Sequence, residues 1–423
     1  MRLVKSFKIN HLTSFVVAAF PILCLSYGKG YNLAAILLFL ASLCLLFVKS
    51  EDKTNLQILK DSRVQMVISA FVLYFSLFVL SVVMKNGDFS EVDMPSRVIL
   101  SIPVLLAAIK HPPKVSWVMN GFVIGAIAAG CVALIQIEYL GLPRAFWGND
   151  SIYWLKGYMA IQSGNMAMSL GVISLVICVY YFKCNKCFLA FFAVAGAMLG
   201  ILGSLLSGSR GGWVFLPIAL IYLVYANRDV FSLKKISLLI ISVLFIGFTA
   251  IQLNPDIASR ISHSIQNVQD YASNKNTDTS IGDRFQLWES AINSFSHYPV
   301  FGAGYKERLV LRKEFAESGA INQTIGNNDT HSHNQYLEDL SVRGTLGFLA
   351  LLGILFTPIY IFKKNNNNSN IEIQTIKQCG IISIIMMLGY LLSQAMFRHN
   401  SGIIFYSIVT VIFLALSINN SKK

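Results

Sequence analysis

The chain has 423 residues, of which 55% are hydrophobic and only 13% are charged, and its formal net charge is +13. Soluble domains carry about 25% charged residues, so this chain has too few polar side chains to cover a globular surface. The composition excludes a water-soluble enzyme and predicts an all-α, polytopic integral membrane protein. The basic residues are scattered between apolar runs and form no patch, which argues against a nucleic-acid partner.

Twelve apolar runs are close to the length of about 20 residues that a helix needs to cross a bilayer. The first run begins near His11 and lacks a small-residue cleavage site, so we expect a retained anchor and not a removed signal peptide. Several runs, such as 97–109 and 212–226, are shorter than a straight span needs, and we expect them to be tilted, broken or extended. The runs lie near residues 12–27, 31–48, 64–84, 97–109, 116–140, 157–182, 187–207, 212–226, 236–253, 345–362, 378–397 and 402–418.

The distribution of Lys and Arg predicts the orientation of these spans, because basic residues near span ends are retained in the cytoplasm. With the N-terminus inside, 19 of the 34 basic residues fall on inner segments and 7 on short outer loops. Both termini are therefore expected in the cytoplasm.

One long outer segment, roughly 254–344, contains 11 of the 21 acidic residues and four of the seven His, and has no apolar run of span length. Loops of this length between spans are usually functional or disordered. The chain is thus expected to divide into spans 1–9 (1–253), a large periplasmic loop with the catalytic motifs (254–344), and spans 10–12 with a cytoplasmic C-terminus (345–423).

An amphipathic helix is predicted over 284–295 of this loop, because apolar residues recur there at helical spacing. They are Leu287, Trp288, Ala291 and Phe295. The helix should end before Pro299, and Gly302 and Gly304 should form a turn.

Arg210 lies in Ser207-Gly-Ser-Arg-Gly-Gly212, a turn between two apolar runs at the predicted outer face. It is either an interfacial arginine that extends to lipid headgroups or a phosphate ligand, since glycines allow close approach and the guanidinium has donors that match phosphate. Arg284 is at the start of the predicted loop helix. It is either a solvated charge that pairs with Asp283 or Glu289, or a second ligand for phosphate.

The third candidate is His331-Ser-His333-Asn334, close to the return of the chain into the membrane. The spacing matches no recognised metal motif, so no metal is expected. The sequence also has no P-loop and no Gly-x-Gly-x-x-Gly, and no cofactor is expected. Tyr305, Glu338 and Asp339 are possible acceptor contacts, although the two acids could equally cap or solvate the next helix.

Two ordered motifs of this loop resemble the O-antigen ligase and polymerase superfamily. The first is His333-Asn334, nine residues, then Gly344-Thr-Leu-Gly347. The second, upstream, is Arg284-Phe-x-x-Trp288 followed by Ala291, Phe295, Pro299, Gly302 and Gly304. The resemblance covers about 205–350, and outside that range it extends only to hydropathy.

The resemblance implies a GT-C-like, metal-independent glycosyltransferase of the bacterial inner membrane, with its active site facing the periplasm. The donor would be a glycan on undecaprenyl diphosphate, and in the ligases the acceptor is lipid A–core oligosaccharide. The implied catalytic residues are His333, Arg284 and Arg210. Arg398, Asn334, His331 and Tyr305 are the predicted substrate contacts.

Two other functions stay open at this point. A polymerase of the same superfamily would extend a second lipid-linked glycan; the length of the chain and the Gly344–Gly347 match favour a ligase. A lipid or solute transporter would also have about twelve spans, but it should show repeated halves and charges near span centres. Neither feature is present, and the Arg and His residues concentrate at the outer surface.

Overall fold

The structure is a computed structural model that describes residues 2–50, 54–231, 279–364 and 370–420. Within these ranges the secondary structure is entirely helical. The helices are α1 (Arg2–Leu23), α2 (Gly30–Phe47), α3 (Asn55–Leu59), α4 (Ser62–Met84), α5 (Asp93–Leu100), α6 (Ile102–Lys110), α7 (Val115–Leu134), α8 (Ala160–Lys183), α9 (Cys187–Leu206), α10 (Leu216–Ala226), α11 (Ser280–His297), α12 (Gly304–Glu317), α13 (Gln323–Gly326), α14 (Gln335–Lys364), α15 (Ile371–Ser393) and α16 (Asn400–Asn420).

The predicted spans correspond closely to the observed helices. In the described part of the chain, nine helical segments are long and apolar enough to cross a membrane. Two shorter apolar helices, Ile9–Leu23 and Arg210–Ala226, coincide with the predicted runs near 12–27 and 212–226. The predicted run near 236–253 lies outside the described residues. The chain is a polytopic, helical membrane protein, as its composition predicts.

The predicted short span near 97–109 is one part of a broken helical segment. A 3-10 turn at Phe89–Val92 leads into α5, and α5 and α6 meet at Ser101. The whole segment from Phe89 to Lys110 has the length of a span. The run was short because the first half of this segment is polar.

The helix of the tenth predicted span begins earlier than its apolar run. α14 starts at Gln335, inside the predicted outer loop, and contains a kink at Gly344, whose φ is 64° and ψ −161°. A Cβ on Gly344 would lie 2.4 Å from the backbone oxygen of Val300, so the turn 299–303 packs directly against the kink. The N–H of Thr345 donates to the Pro299 carbonyl at 2.8 Å.

Helix α16 lies at the centre of the bundle and is buried along its length. Other helices pack through small residues, which allow close approach of backbones in a membrane. A Cβ on Gly200 of α9 would lie only 2.7 Å from the Cα of Gly171 on α8. These two helices form the most extensive helix pair of the described fold.

Loops predicted to share one side of the membrane contact each other. On the outer side, the Lys306 Nζ lies 3.1 Å from the Asp88 carboxylate, which joins the large loop to the loop after α4. On the inner side, the Lys183 Nζ lies 2.9 Å from Asp229, which joins the ends of α8 and α10. These contacts join loops at the same end of the helix bundle, and the orientation of the bundle in the membrane stays a prediction.

Candidate functional site

Helix α11 carries Arg284 and packs against the histidine segment. It begins at Ser280 and ends at His297, so it contains the predicted helix 284–295. The Thr279 Oγ1 accepts the N–H of Gly282 at 3.0 Å, which caps the first turn. The Trp288 indole N–H donates to the Ser332 carbonyl at 2.9 Å, and this bond attaches the helix to the segment just before His333.

The histidine segment ends at the first turn of α14. The Asn334 Oδ1 accepts the N–H groups of Tyr336 and Leu337 at 3.0 and 3.2 Å, so Asn334 caps the helix. His333 has a φ of 49°, in the left-handed region that non-glycine residues seldom adopt. Such conformations cost free energy and persist where surrounding contacts hold them.

Three imidazoles lie together at this position, two from the loop and one from the turn before α16. The ring centroids of His331 and His333 are 4.4 Å apart, and those of His331 and His399 are 5.2 Å apart. The His333 Nδ1 lies 2.7 Å from the Gln394 Oε1. His399 and Gln394 belong to no motif in the sequence. They are identified as part of the site only because residues 394–399 approach the large loop.

The cluster is neutral near pH 7. Burial lowers the pKa of His331 to about 3 and that of His399 to about 4. Burial is also the main reason that the pKa of His333 lies below its ordinary value; the hydrogen bond with Gln394 opposes this shift, and the charge of Arg284 adds to it. A neutral imidazole can accept a proton.

The two candidate arginines are close enough to repel each other. Arg210 is exposed in the 3-10 turn Arg210–Trp213, and Arg284 is half-buried on α11. Burial and the charge of Arg210 together lower the pKa of Arg284. Two neighbouring guanidinium groups offer the forked donors that match a phosphate anion.

Arg144 is a third cation of this group, and the sequence offered no signal for it beyond its place in a short outer loop. Its Nε donates to the Ser207 carbonyl at 2.8 Å, beside the turn that carries Arg210. Burial and the charge of Arg210 lower the pKa of Arg144. Arg144 and Arg284 therefore both lie close enough to Arg210 for its charge to lower their pKa values.

Glu338 holds the histidine segment in place through hydrogen bonds with Ser332. Its side chain is fully buried, and its Oε2 lies 2.6 Å from the Arg308 Nη1. The same oxygen accepts the backbone N–H and the hydroxyl of Ser332, each at 2.9 Å. The Arg398 Nε lies 3.7 Å from the Glu338 Oε1. The sequence suggested that Glu338 contacts the acceptor or else caps or solvates the next helix. In the structure it is instead a buried carboxylate between Arg308 and Arg398.

The remaining predicted contacts lie beside this buried carboxylate. The Arg398 guanidinium carbon is 4.0 Å from the centre of the Tyr305 ring. Asp339 is also buried and is bonded to Arg343 and Gln335. Thus His333, His331, Arg284 and Arg210 form one group, and Arg398 and Tyr305 form the group around Glu338. In the described part of the chain, no group of three or more His, Cys, Asp or Glu is arranged so that it could hold a metal ion.

Comparison with known proteins gives three similarities. A family model described as O-antigen ligase matches residues 195–352. An "Uncharacterized protein" of Haemophilus influenzae is 34% identical over 410 residues, which cover 96% of this chain and 99% of that protein. An "O-antigen ligase" of Escherichia coli is 25% identical over 217 residues, which cover 51% of this chain and 50% of that protein.

Proposed function

Because the chain belongs to the O-antigen ligase family, we propose that it transfers a glycan from undecaprenyl diphosphate to lipid A–core oligosaccharide, the last step in assembling lipopolysaccharide. The observation that carries this proposal is the meeting of Arg210, Arg284 and a neutral His333 at one end of the bundle. These residues come from three separate parts of the chain, and all three lie in the matched region.

The residue types suit the proposed reaction. A sugar hydroxyl is a poor nucleophile, and the neutral imidazole of His333 can take its proton as the oxygen attacks the anomeric carbon. The bond between that carbon and the diphosphate oxygen breaks, and the leaving diphosphate keeps the electron pair. Arg210 and Arg284 would stabilise this negative charge through paired hydrogen bonds. The transfer is therefore proposed to need no metal ion.

The proposed site faces the periplasm, and the proposed membrane is the bacterial inner membrane. The support is the basic-residue distribution, which assigns the loops after α2, α6 and α8 to the cytoplasm. The site residues lie at the opposite end. A donor anchored by a polyprenyl chain would reach such a site from the outer leaflet, where its diphosphate lies at the level of interfacial arginines.

The test is a transfer assay with purified protein, undecaprenyl-diphosphate glycan and lipid A–core in EDTA, with products separated by size. The proposal expects glycan attached to lipid A–core. Longer lipid-linked glycan with unmodified core would instead establish a polymerase. No product with either acceptor would refute a glycan transferase and favour the transporter.

A further inference from the structure

A chain of hydrogen bonds joins His331, His333, His399 and Gln394. The backbone N–H of His333 lies 3.1 Å from the His331 Nδ1, and the His331 Nε2 lies 3.2 Å from the His399 Nε2. The Gln394 Nε2 lies 3.4 Å from the same His399 nitrogen, and the Gln394 Oε1 lies 2.7 Å from the His333 Nδ1. The chain thus starts at the backbone of His333 and returns to its ring.

The direction of the first bond is fixed, because a backbone N–H only donates. The His331 Nδ1 must accept it. A neutral imidazole has one N–H, so the proton of His331 is on Nε2. That nitrogen donates to the His399 Nε2, which is therefore also an acceptor.

The acceptor at the His399 Nε2 also fixes the orientation of the Gln394 side-chain amide. An acceptor at the His399 Nε2 requires the NH₂ group of Gln394 on that side, and the amide oxygen then faces His333. An amide oxygen only accepts, so the His333 Nδ1 carries the proton. The reverse orientation of Gln394 would point its oxygen at the lone pair of His399, and the fixed backbone donor forbids that arrangement.

The remaining nitrogen of His333 is left with a lone pair. Within the described residues, no hydrogen bond occupies the His333 Nε2. We propose that Gln394, held by His399 and His331, is a positioning residue that keeps His333 in the Nδ1–H tautomer, so that Nε2 is the atom that takes the proton of the acceptor hydroxyl. That Nε2 takes the proton of the acceptor hydroxyl rests on the proposed function. The tautomer of His333 can be measured without any turnover.

The first test is the ¹⁵N spectrum of the full-length protein labelled on histidine. The chain has only seven His, and a His333→Gln variant identifies the signals of His333 by difference. The expected spectrum shows a protonated Nδ1 and an unprotonated Nε2 for His333. A wild-type His333 protonated on Nε2 would overturn the inference, whatever the variants do.

The second test compares Gln394→Leu with Gln394→Glu in the transfer assay. Leu removes the acceptor, so both tautomers should appear in the spectrum and kcat should fall about tenfold with KM unchanged, less than the ~10²–10⁴ that a general base contributes. Glu still accepts the Nδ1 proton with one oxygen but has no NH₂ group for the His399 Nε2, so it should keep the tautomer and lose less turnover than Leu. Gln323→Leu is the matched control, because Gln323 is an exposed glutamine of the large loop that carries His333.

Unchanged kcat and an unchanged tautomer in Gln394→Leu would refute the positioning role. If the Leu variant does not fold, the wild-type spectrum and the Glu variant still decide the matter. A wild-type protein with the expected tautomer that transfers no glycan would refute the proposed function and leave the hydrogen-bond chain standing. A protein that transfers glycan although His333 is protonated on Nε2 would support the proposed function and refute the positioning role of Gln394.

Discussion

Replacing Glu338 with Gln should loosen the segment that carries His333 while leaving the transmembrane bundle folded. Gln has nearly the same shape as Glu but has no negative charge. The substitution would leave the Arg308 guanidinium buried without its counter-charge, since the Arg308 side chain is only 2% exposed. It would also weaken the two hydrogen bonds that the carboxylate accepts from Ser332.

The expected cost follows from these contacts. Removing one partner of a buried ion pair costs about 3–5 kcal/mol, because the remaining charge stays desolvated. At about 1.4 kcal/mol for each factor of ten, 3 kcal/mol corresponds to roughly a hundredfold loss of protection against local opening. Replacing both partners, Arg308→Met with Glu338→Leu, should recover much of this loss, since an apolar pair leaves no buried charge.

The measurement is amide hydrogen exchange of residues 328–338 in the purified protein. Glu317→Gln is the matched control: Glu317 is exposed at the end of α12, and protection should not change. Equal protection in Glu338→Gln and in wild type would show that the Glu338 carboxylate does not hold the histidine segment in place. A double variant that is less protected than Glu338→Gln would also contradict it.

Three further predictions concern charge geometry, pH and the loop turn. Arg210→Lys should lose most transfer activity although it keeps the charge, because the paired donors are lost; near-normal turnover would remove Arg210 from the site. Because the pKa values of His331 (about 3) and His399 (about 4) lie below the ordinary 6.5, their contribution to stability is present above pH 6.5 and is lost as the pH falls toward those values; thermal unfolding at pH 7 and pH 4 should show the decrease, and equal midpoints would contradict it. Gly302→Ala should destabilise the loop by about 1–3 kcal/mol, since φ is +72° and a Cβ would lie 2.3 Å from the α14 backbone. Gly353→Ala, where a Cβ meets no atom within 4 Å, should leave the unfolding midpoint unchanged or raise it, and an equal effect of the two substitutions would count against the turn's role.

Periodicity and hydropathy predicted most of the fold. The apolar runs marked the spans because a bilayer demands a long apolar stretch, and this signal is local in sequence. Helix α11 was predicted for the same reason, from the spacing of residues such as Leu287 and Ala291. The early start of α14 was not predicted, because its first turns are polar and their burial depends on the turn at 299–303 packing against Gly344.

The candidate site could be predicted only where residues carry a motif. His333 and Arg284 stood out by spacing and resemblance. Arg144 and Gln394 did not, and Glu338 was named only as a possible acceptor contact, because the roles of all three depend on partners far away in sequence. Arg144 reaches the turn of Arg210, and Gln394 reaches His333, only after the helices have packed. One sequence shows the type of each residue, but it does not show the neighbours that determine its protonation state and tautomer.

The most direct test of the account is the rate of glycan transfer by His333→Ala, measured beside His297→Ala. His297 is an exposed histidine of the same outer segment and should be dispensable. If His333 is the general base, His333→Ala should lose about 10²–10⁴-fold in turnover while it still binds the lipid-linked donor, and His297→Ala should transfer glycan at the wild-type rate. Transfer by His333→Ala at close to the wild-type rate would show that His333 is not the general base.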